Sequence, residues 1–362
     1  MSETFEIRRI EHPAPTPAET RAALISDPGF GKVFSDHMVT IRWTRDGGWG
    51  EAQLRAREPF VLDPAAAVLH YAQEIFEGMK AYRAADGAVT LFRPLENARR
   101  FADSARRMAM PVLAEEHFLQ AVEALVQADQ AWIPPGQGSL YLRPFMIATE
   151  AFLGVRPAAE YTFCVIASSV GDYFKGGGKP VTVWAPQDFS RAAPGGTGAA
   201  KCGGNYAASL LAQAEATAND CDQVVFLDAA EHRWVEELGG MNVFFVMDDG
   251  TLVTPPLAGT ILPGITRASI IDLARDLGHE VLEQPYAFED WRADAASGRL
   301  AEVFACGTAA VVAAIGEVRH SAGGFQAAAV PDGPVTRALR DRLIGIQRGL
   351  NEDPRGWLHR VR

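Results

Sequence analysis

A glycine-rich segment surrounds a single lysine in the second half of the chain: residues 195–206 read GGTGAAKCGGNY. Lys201 is the only charged residue between Arg191 and Glu215. A lysine among small and apolar residues loses hydration, which favours the neutral amine that forms a Schiff base with an aldehyde. The glycines also let a flat ligand approach the backbone closely. A surface turn with a solvated lysine explains these residues equally well.

A helix is predicted to begin near Ile265, directly after Pro263 and Gly264. Its apolar positions follow the helical repeat: Ile270, Ile271, Ala274 and Leu277. Free N–H groups and the helix dipole at its start form an anion site that a phosphate could fill. Thr266 is equally well explained as an ordinary N-cap residue of this helix.

Two adjacent carboxylates, Glu236 and Glu237, occur in a segment predicted to be extended. Their side chains should point to opposite faces, so we expect one in solvent and the other turned inward. An inward glutamate is costly unless a cation such as a protonated pyridine nitrogen pairs with it. Two surface glutamates before a buried strand are the simpler interpretation, and these residues alone favour it.

Composition and charge exclude several classes of protein. The chain has 362 residues, which suggests about two domains. Its net charge of −11 disfavours binding to nucleic acid. The N-terminus lacks an apolar signal region, no apolar run is long enough to span a membrane, and no local metal motif occurs among the histidines. The four scattered cysteines are expected to be reduced, so we predict a cytoplasmic protein without metal.

Glycine is unevenly distributed, with nine glycines in residues 171–204. We predict an interdomain linker at 171–180, between a domain at 1–170 and a second domain at 181–362. The first half is predicted to contain hairpins and helices, and the second to contain short strands with few helices. This order is not a strict β-α-β alternation, so an α+β fold is favoured over a doubly wound sheet.

The sequence resembles the branched-chain amino acid aminotransferases, which are pyridoxal-phosphate enzymes of fold type IV. Matching motifs occur in the same order over nearly the whole chain. They include FGKVFSDHM at 30–38, FEGMKAY at 76–82, FRP at 92–94, LYLRP at 140–144, residues 195–206, 237–242 and 262–267, and GTA at 307–309. The resemblance implies a two-domain α+β fold. Its smaller α/β N-terminal domain and larger strand-rich C-terminal domain would hold the cofactor, pyridoxal 5′-phosphate, at their interface.

The resemblance also implies roles for individual residues. Lys201 would be the catalytic residue, as Schiff-base lysine and proton shuttle, while Glu237 would pair with the pyridine nitrogen and Tyr206 with the phenolic oxygen. The groups implied for the phosphate are Arg100, Thr308 and the backbone of Ile265 and Thr266. The residues implied for the substrate are Phe30, Phe76, Tyr141, Arg143 and Ala309, with Tyr71 from the neighbouring subunit of a homodimer. Simple core packing is the alternative for each aromatic residue.

The implied reaction transfers the amino group of L-leucine, L-isoleucine or L-valine to 2-oxoglutarate, giving branched 2-oxo acids and L-glutamate by a ping-pong mechanism. A D-amino-acid aminotransferase, an aminodeoxychorismate lyase and a pyridoxal-phosphate-binding protein without turnover are the alternatives. No CxxC motif follows Gly307 and Thr308, so thiol–disulfide regulation of that type is not expected. We expect Cys202 to be a small packing residue.

Overall fold

The computed structural model describes residues 6–171 and 179–361, and the chain divides into two compact units. The first unit consists of Met1–Tyr173, Ala200–Gly203 and Ile346–Arg362, and the second of Phe174–Ala199 and Gly204–Gly345. Most of the predicted linker at 171–180 lies outside the described residues, so the domain boundaries stay predictions. The α+β class is confirmed, because each unit combines one large mixed sheet with helices.

The first unit is built on a ten-stranded sheet. The strand order is Arg8–Arg9, Gly48–Ala56, His37–Thr44, Glu160–Val170, Ser139–Ala148, Met79–Arg83, Val89–Phe92 and Leu358–Arg360. Val33–Phe34 also pairs with Glu160–Val170, and Glu74–Phe76 with Ser139–Ala148. The end of the chain joins the first unit because Leu358–Arg360 pairs with Val89–Phe92.

The helices of the first unit are Ala18–Ser26, Ala67–Tyr71, Pro94–Arg107 and Glu115–Asp129, followed by a 3-10 turn at Gln130–Trp132. The two longest carry sequence signals of helices, since Pro94 occupies a first-turn position that suits proline and both helices carry an apolar face. The helix Ala18–Ser26 was not predicted. This helix buries none of its residues, so it has no apolar periodicity to recognise.

The second unit is built on a nine-stranded sheet. The strand order is Val235–Leu238, Gln223–Leu227, Val181–Trp184, Val311–His320, Leu300–Gly307, Asn242–Met247, Leu252–Thr254 and Val281–Glu283, with Gly323–Gln326 paired to Val311–His320. The central hairpin of Leu300–Gly307 and Val311–His320 was not predicted. Most of its residues are buried on both faces, so the alternating pattern of a half-exposed strand is absent.

The helices of the second unit are Leu210–Ala218, Ile265–Asp276 and Phe288–Ser297, while Gly203–Ala207 and Pro334–Gln347 each include residues of both units. The helical conformation is interrupted between the helices Gly203–Ala207 and Leu210–Ala218. All four cysteines are free and buried, and Cys202 packs in the core as expected. Within residues 6–171 and 179–361, no helix is long and apolar enough to cross a membrane, and no group of three His, Cys, Asp or Glu could hold a metal ion.

Candidate active site

The backbone around Lys201 is held in place within the first unit by three hydrogen bonds. The Lys201 N–H donates to the Ser104 hydroxyl at 2.9 Å, and the Phe76 N–H donates to the Lys201 carbonyl at 3.0 Å. The Gly203 N–H donates to the carboxylate of Glu74. The lysine segment is thus attached to the strand Glu74–Phe76 and to the helix Pro94–Arg107, which fixes where its side chain starts.

The Lys201 amine lies in an environment that disfavours its charge. Nζ is 4.7 Å from the centroid of the Phe76 ring. Burial, followed by the charge of Arg100, lowers the pKa of Lys201 to about 8, and the charge of Glu77 opposes this change. A large fraction of the amine is therefore neutral at mildly alkaline pH, which favours a reactive lysine over a solvated surface lysine.

The helix Pro94–Arg107 presents a polar stripe on its buried face. Asn97, Arg100 and Ser104 are all buried, and their spacing of three and four residues places them on one side of the helix. Polar side chains on a buried face need partners. Here Ser104 holds the backbone of Lys201, while Asn97 and Arg100 both bind the same carboxylate, that of Glu77.

Glu77 is a site residue that the sequence reasoning missed. Its carboxylate is fully buried, and Arg100 binds it through Nε at 2.7 Å and Nη2 at 2.9 Å. Burial raises the pKa of Glu77, but the pairing with Arg100 outweighs burial and the pKa is lowered overall, so the group stays ionised. The signal available in the sequence was a charged residue between apolar ones in FEGMKAY at 76–82.

Four of the predicted substrate residues lie together in the first unit. Arg143 Cζ is 4.8 Å from the Phe76 ring centroid and 5.5 Å from that of Tyr141, and Nη2 donates to the Tyr141 hydroxyl at 3.3 Å. Phe30 packs edge-on against Tyr141 with ring centroids 5.2 Å apart. Within the described part of the chain, the buried Nε of Arg143 has no hydrogen-bond partner. A carboxylate bound here would satisfy this donor.

Tyr71 ends the short helix Ala67–Tyr71 and is partly exposed. Its hydroxyl donates to the carbonyl of Leu153. Its role in a neighbouring subunit stays a prediction.

Glu237, in the second unit, is only 2% exposed and is held by several donors. Arg191 Nη1 is 2.8 Å from Oε1, which also accepts from the Leu262 N–H at 3.0 Å. The amide of Asn242 donates to Oε2 at 3.3 Å. The sequence did not point to Arg191 as the partner of this carboxylate.

Glu236 corrects the expectation that one of the two adjacent carboxylates is solvated. It is 8% exposed and accepts a hydrogen bond from the Thr260 hydroxyl, and burial raises its pKa. All four residues of the strand Val235–Leu238 are buried, so both of its faces are covered. The alternative of two surface glutamates is wrong for the same reason.

The helix Ile265–Asp276 begins where it was predicted, and its N-cap residue is Gly264. Thr266 lies within the first turn, so its interpretation as the N-cap is wrong. The first turn has no acidic side chain, and its N–H groups have no partner within the helix. A Cβ on Gly264 would lie 2.0 Å from Oδ1 of Asn242, the residue that donates to Glu237. Only glycine therefore fits at position 264.

Two further predicted residues, Tyr206 and Thr308, lie beside one turn of the second unit. A Cβ on Gly240 would lie 3.9 Å from the Tyr206 ring, and one on Gly307 would lie 3.1 Å from Cγ of Met241. Thr308 and Ala309 follow Gly307 directly. The connection from the strand Leu300–Gly307 to the strand Val311–His320 ends at Val311, whose φ of +62° is rare for a β-branched residue. Such strain is typical of functional segments.

The profile of the amino-transferase class IV family matches residues 74–318. The chain belongs to this family. One relative is a probable branched-chain-amino-acid aminotransferase from Streptomyces coelicolor, 55% identical over 98% of each chain. The branched-chain amino acid aminotransferase of Escherichia coli is structurally similar with a TM-score of 0.73, at 30% identity over 89% of this chain and 99% of that one. The corresponding enzyme from Thermobaculum terrenum in its pyridoxal-phosphate form has a TM-score of 0.72, at 27% identity over 89% and 98%.

Class IV aminotransferases use pyridoxal 5′-phosphate, and the residues of this aminotransferase fit that group. Lys201 supplies an amine with a lowered pKa. Within the second unit, Glu237 would offer a buried carboxylate to the ring nitrogen, and the first turn of Ile265–Asp276 would offer N–H groups to a phosphate without an opposing acid. The fold type IV resemblance is confirmed by these structural neighbours.

Proposed function

We propose that this enzyme exchanges the amino group of L-leucine, L-isoleucine or L-valine with 2-oxoglutarate, giving the branched 2-oxo acids and L-glutamate. The relative from Streptomyces coelicolor, which carries the branched-chain name, supports the substrate class. The observation that carries the proposal is the grouping of the Lys201 amine, the Phe76 ring and the Arg143 guanidinium within 5 Å contacts. Substrates that alternate between an aliphatic and an acidic side chain require three groups. Lys201 would be the reacting amine, Phe76 the apolar wall and Arg143 the group that binds a carboxylate.

Lys201 is the residue that moves the proton. Bound pyridoxal phosphate supplies an aldehyde carbon for the substrate amine and a ring that accepts the electron pair released at Cα. Nζ of Lys201, which its lowered pKa of about 8 leaves partly neutral, would take the proton from the substrate Cα and deliver it to the former aldehyde carbon of the cofactor. The reverse transfer would act on the second substrate. The backbone contacts to Ser104 and Phe76 support this role because they fix the start of the side chain.

The remaining proposed roles are those of binding and orientation. Glu237, held by Arg191 and Asn242, would keep a proton on the ring nitrogen, and Tyr206 would bond the phenolic oxygen. The proposed phosphate groups are Arg100, Thr308 and the backbone of Ile265 and Thr266. The proposed substrate residues are Phe30, Phe76 and Ala309 for the aliphatic side chain, and Tyr141 and Arg143 for carboxylates.

A homodimer is part of the proposal. The segments around Ala65 and Phe152 are joined by a backbone hydrogen bond, and large apolar side chains in both are exposed. Val61 is 98% exposed and Val155 89%, with Leu69, Tyr71 and Leu153 also partly to largely exposed. Exposed apolar side chains grouped in this way favour burial against another copy of the chain, which would let Tyr71 serve the partner's site. A cytoplasmic location stays a prediction.

A comparison of substrates tests the proposed function. The purified enzyme with 2-oxoglutarate should convert L-leucine, L-isoleucine and L-valine, while D-alanine should be a poor amino donor. Turnover of D-alanine alone would contradict the proposal in favour of a D-amino-acid aminotransferase. Cofactor that never changes between its aldehyde and amine forms when an amino acid is added would instead favour a binding protein without turnover.

A further inference from the structure

The carboxylate of Glu77 accepts four hydrogen bonds. Arg100 donates from Nε at 2.7 Å and from Nη2 at 2.9 Å, Asn97 donates from Nδ2 at 2.8 Å, and the Gly78 N–H donates at 3.1 Å. The side chain has no exposure to solvent. Such a carboxylate has one orientation, and it imposes one orientation on the guanidinium that binds it through two nitrogens.

Stability alone is a weak reason for this arrangement. Replacing a buried ion pair by apolar residues of similar volume is often neutral or stabilising, so buried pairs are better explained by what they orient. Asn97 and Arg100 belong to the same helix face as Ser104, which binds the backbone of Lys201. The helix Pro94–Arg107 therefore both binds Glu77, through Arg100, and holds the backbone of Lys201, through Ser104.

We propose that Glu77 is a positioning residue, which fixes the guanidinium of Arg100 and supplies the negative charge that opposes the arginines acting on Lys201. The inference rests on the proposed roles of Lys201 and Arg100. In this proposal Glu77 acts through Arg100 and Lys201 and does not itself contact substrate or cofactor.

The electrostatic consequence follows from the groups that face Lys201. After burial, Arg100 and Arg143 lower the pKa of Lys201, whereas Glu77 and Tyr141 raise it. Without Glu77, the two guanidinium groups would act on a buried amine with little opposition. The amine would then hold its proton poorly, although a proton shuttle must both take and release one.

Labelling of Lys201 tests the charge that Glu77 supplies. The chain contains only five lysines, so the rate at which cyanate modifies each one can be followed by peptide mass spectrometry across a pH range. In the full-length enzyme freed of cofactor, Glu77→Gln should lower the labelling pKa of Lys201 by about one unit or more. Glu77→Asp, which keeps the charge, should leave that pKa near the wild-type value, and exposed Lys32 serves as internal standard.

Binding of the cofactor tests the position that Glu77 imposes. Because aspartate is one carbon shorter, Glu77→Asp cannot hold both nitrogens of Arg100 in place, so the Kd for pyridoxal phosphate should rise about tenfold. This second measurement decides the matter if Glu77→Gln does not fold. Glu302→Gln is a matched control, since it alters a buried carboxylate that binds backbone N–H groups of the helix Pro334–Gln347, and it should change neither quantity.

Two results would overturn the inference: folded Glu77→Gln with the wild-type labelling pKa at Lys201, or Glu77→Asp with the wild-type Kd. Neither result bears on which substrates the enzyme converts. The substrate comparison described above can therefore fail or succeed independently of this test.

Discussion

The charge of the Lys201 amine depends more on burial than on any single neighbouring side chain. Burial is the largest cause that lowers the pKa of Lys201, ahead of its charged neighbours. The ionised amine is consequently a destabilising group in the folded chain. The same burial that makes Lys201 reactive lowers the stability of the enzyme at neutral pH.

Lys201→Met should therefore stabilise the cofactor-free enzyme in a pH-dependent way. The folded-state pKa of about 8 lies below the ordinary lysine value of 10.5, so the unfolded chain binds the proton more tightly. The penalty is fully present below pH 8 and disappears as pH rises through about 10.5, and we expect a gain of about 1–3 kcal/mol at pH 7. Urea unfolding at pH 7 and at pH 10.5 measures it. A gain that is equal at both pH values would contradict the assigned cause.

Arg143→Gln should weaken the binding of the acidic substrate. The buried Nε of Arg143 has no partner in the described part of the chain, and a neutral amide cannot replace a guanidinium that binds a carboxylate. We expect KM for 2-oxoglutarate to rise about tenfold or more, with a smaller effect on L-leucine. Arg42→Gln, at an exposed position, is the control. An unchanged KM for 2-oxoglutarate would exclude this role.

Helices and strands hold the candidate site residues in place within each unit. The helix Pro94–Arg107 was predictable because its proline start and its apolar repeat are local signals. The partnership of Glu77 with Arg100 was not, because the two residues are 23 positions apart and only folding shows which anion meets the guanidinium. Glu236 was misjudged for a similar reason: strand alternation gives the direction of a side chain but not whether a second layer covers that face.

One helix depends on a carboxylate from a distant strand. Glu302, in Leu300–Gly307, accepts hydrogen bonds from the N–H groups of Val335 and Thr336 at 3.0 and 2.7 Å. It therefore serves as the N-terminal cap of the helix Pro334–Gln347, with a charge that suits the helix dipole.

Glu302→Gln should reduce the free energy of unfolding by about 1–2 kcal/mol, because the amide loses the charge and one acceptor. Guanidinium denaturation measures the loss. Glu280→Gln, at an exposed position, should change stability by no more than about 0.5 kcal/mol. If both substitutions changed the free energy of unfolding equally, the cap formed by Glu302 would make no specific contribution to stability.

The whole molecule is proposed to act as a dimer because a group of exposed apolar side chains lies in the two segments that contain Tyr71 and Leu153. Val155→Asp would place a charge in this patch, where burial against a second copy would desolvate it. We expect sedimentation to show a dimer for the wild type and a shift towards monomer for the variant, together with a loss of turnover. The control is Val330→Asp, at another exposed valine. A variant that remains dimeric and fully active would place the interface elsewhere.

The central claim is that Lys201 carries out transamination of branched-chain substrates. The most direct measurement is a single turnover with L-leucine, in which the change of bound cofactor from its aldehyde to its amine form is followed by absorbance for the wild type and for Lys201→Ala. We predict rapid conversion by the wild type and a rate at least about a thousandfold lower for the variant. Conversion by Lys201→Ala at a rate close to that of the wild type would contradict the account.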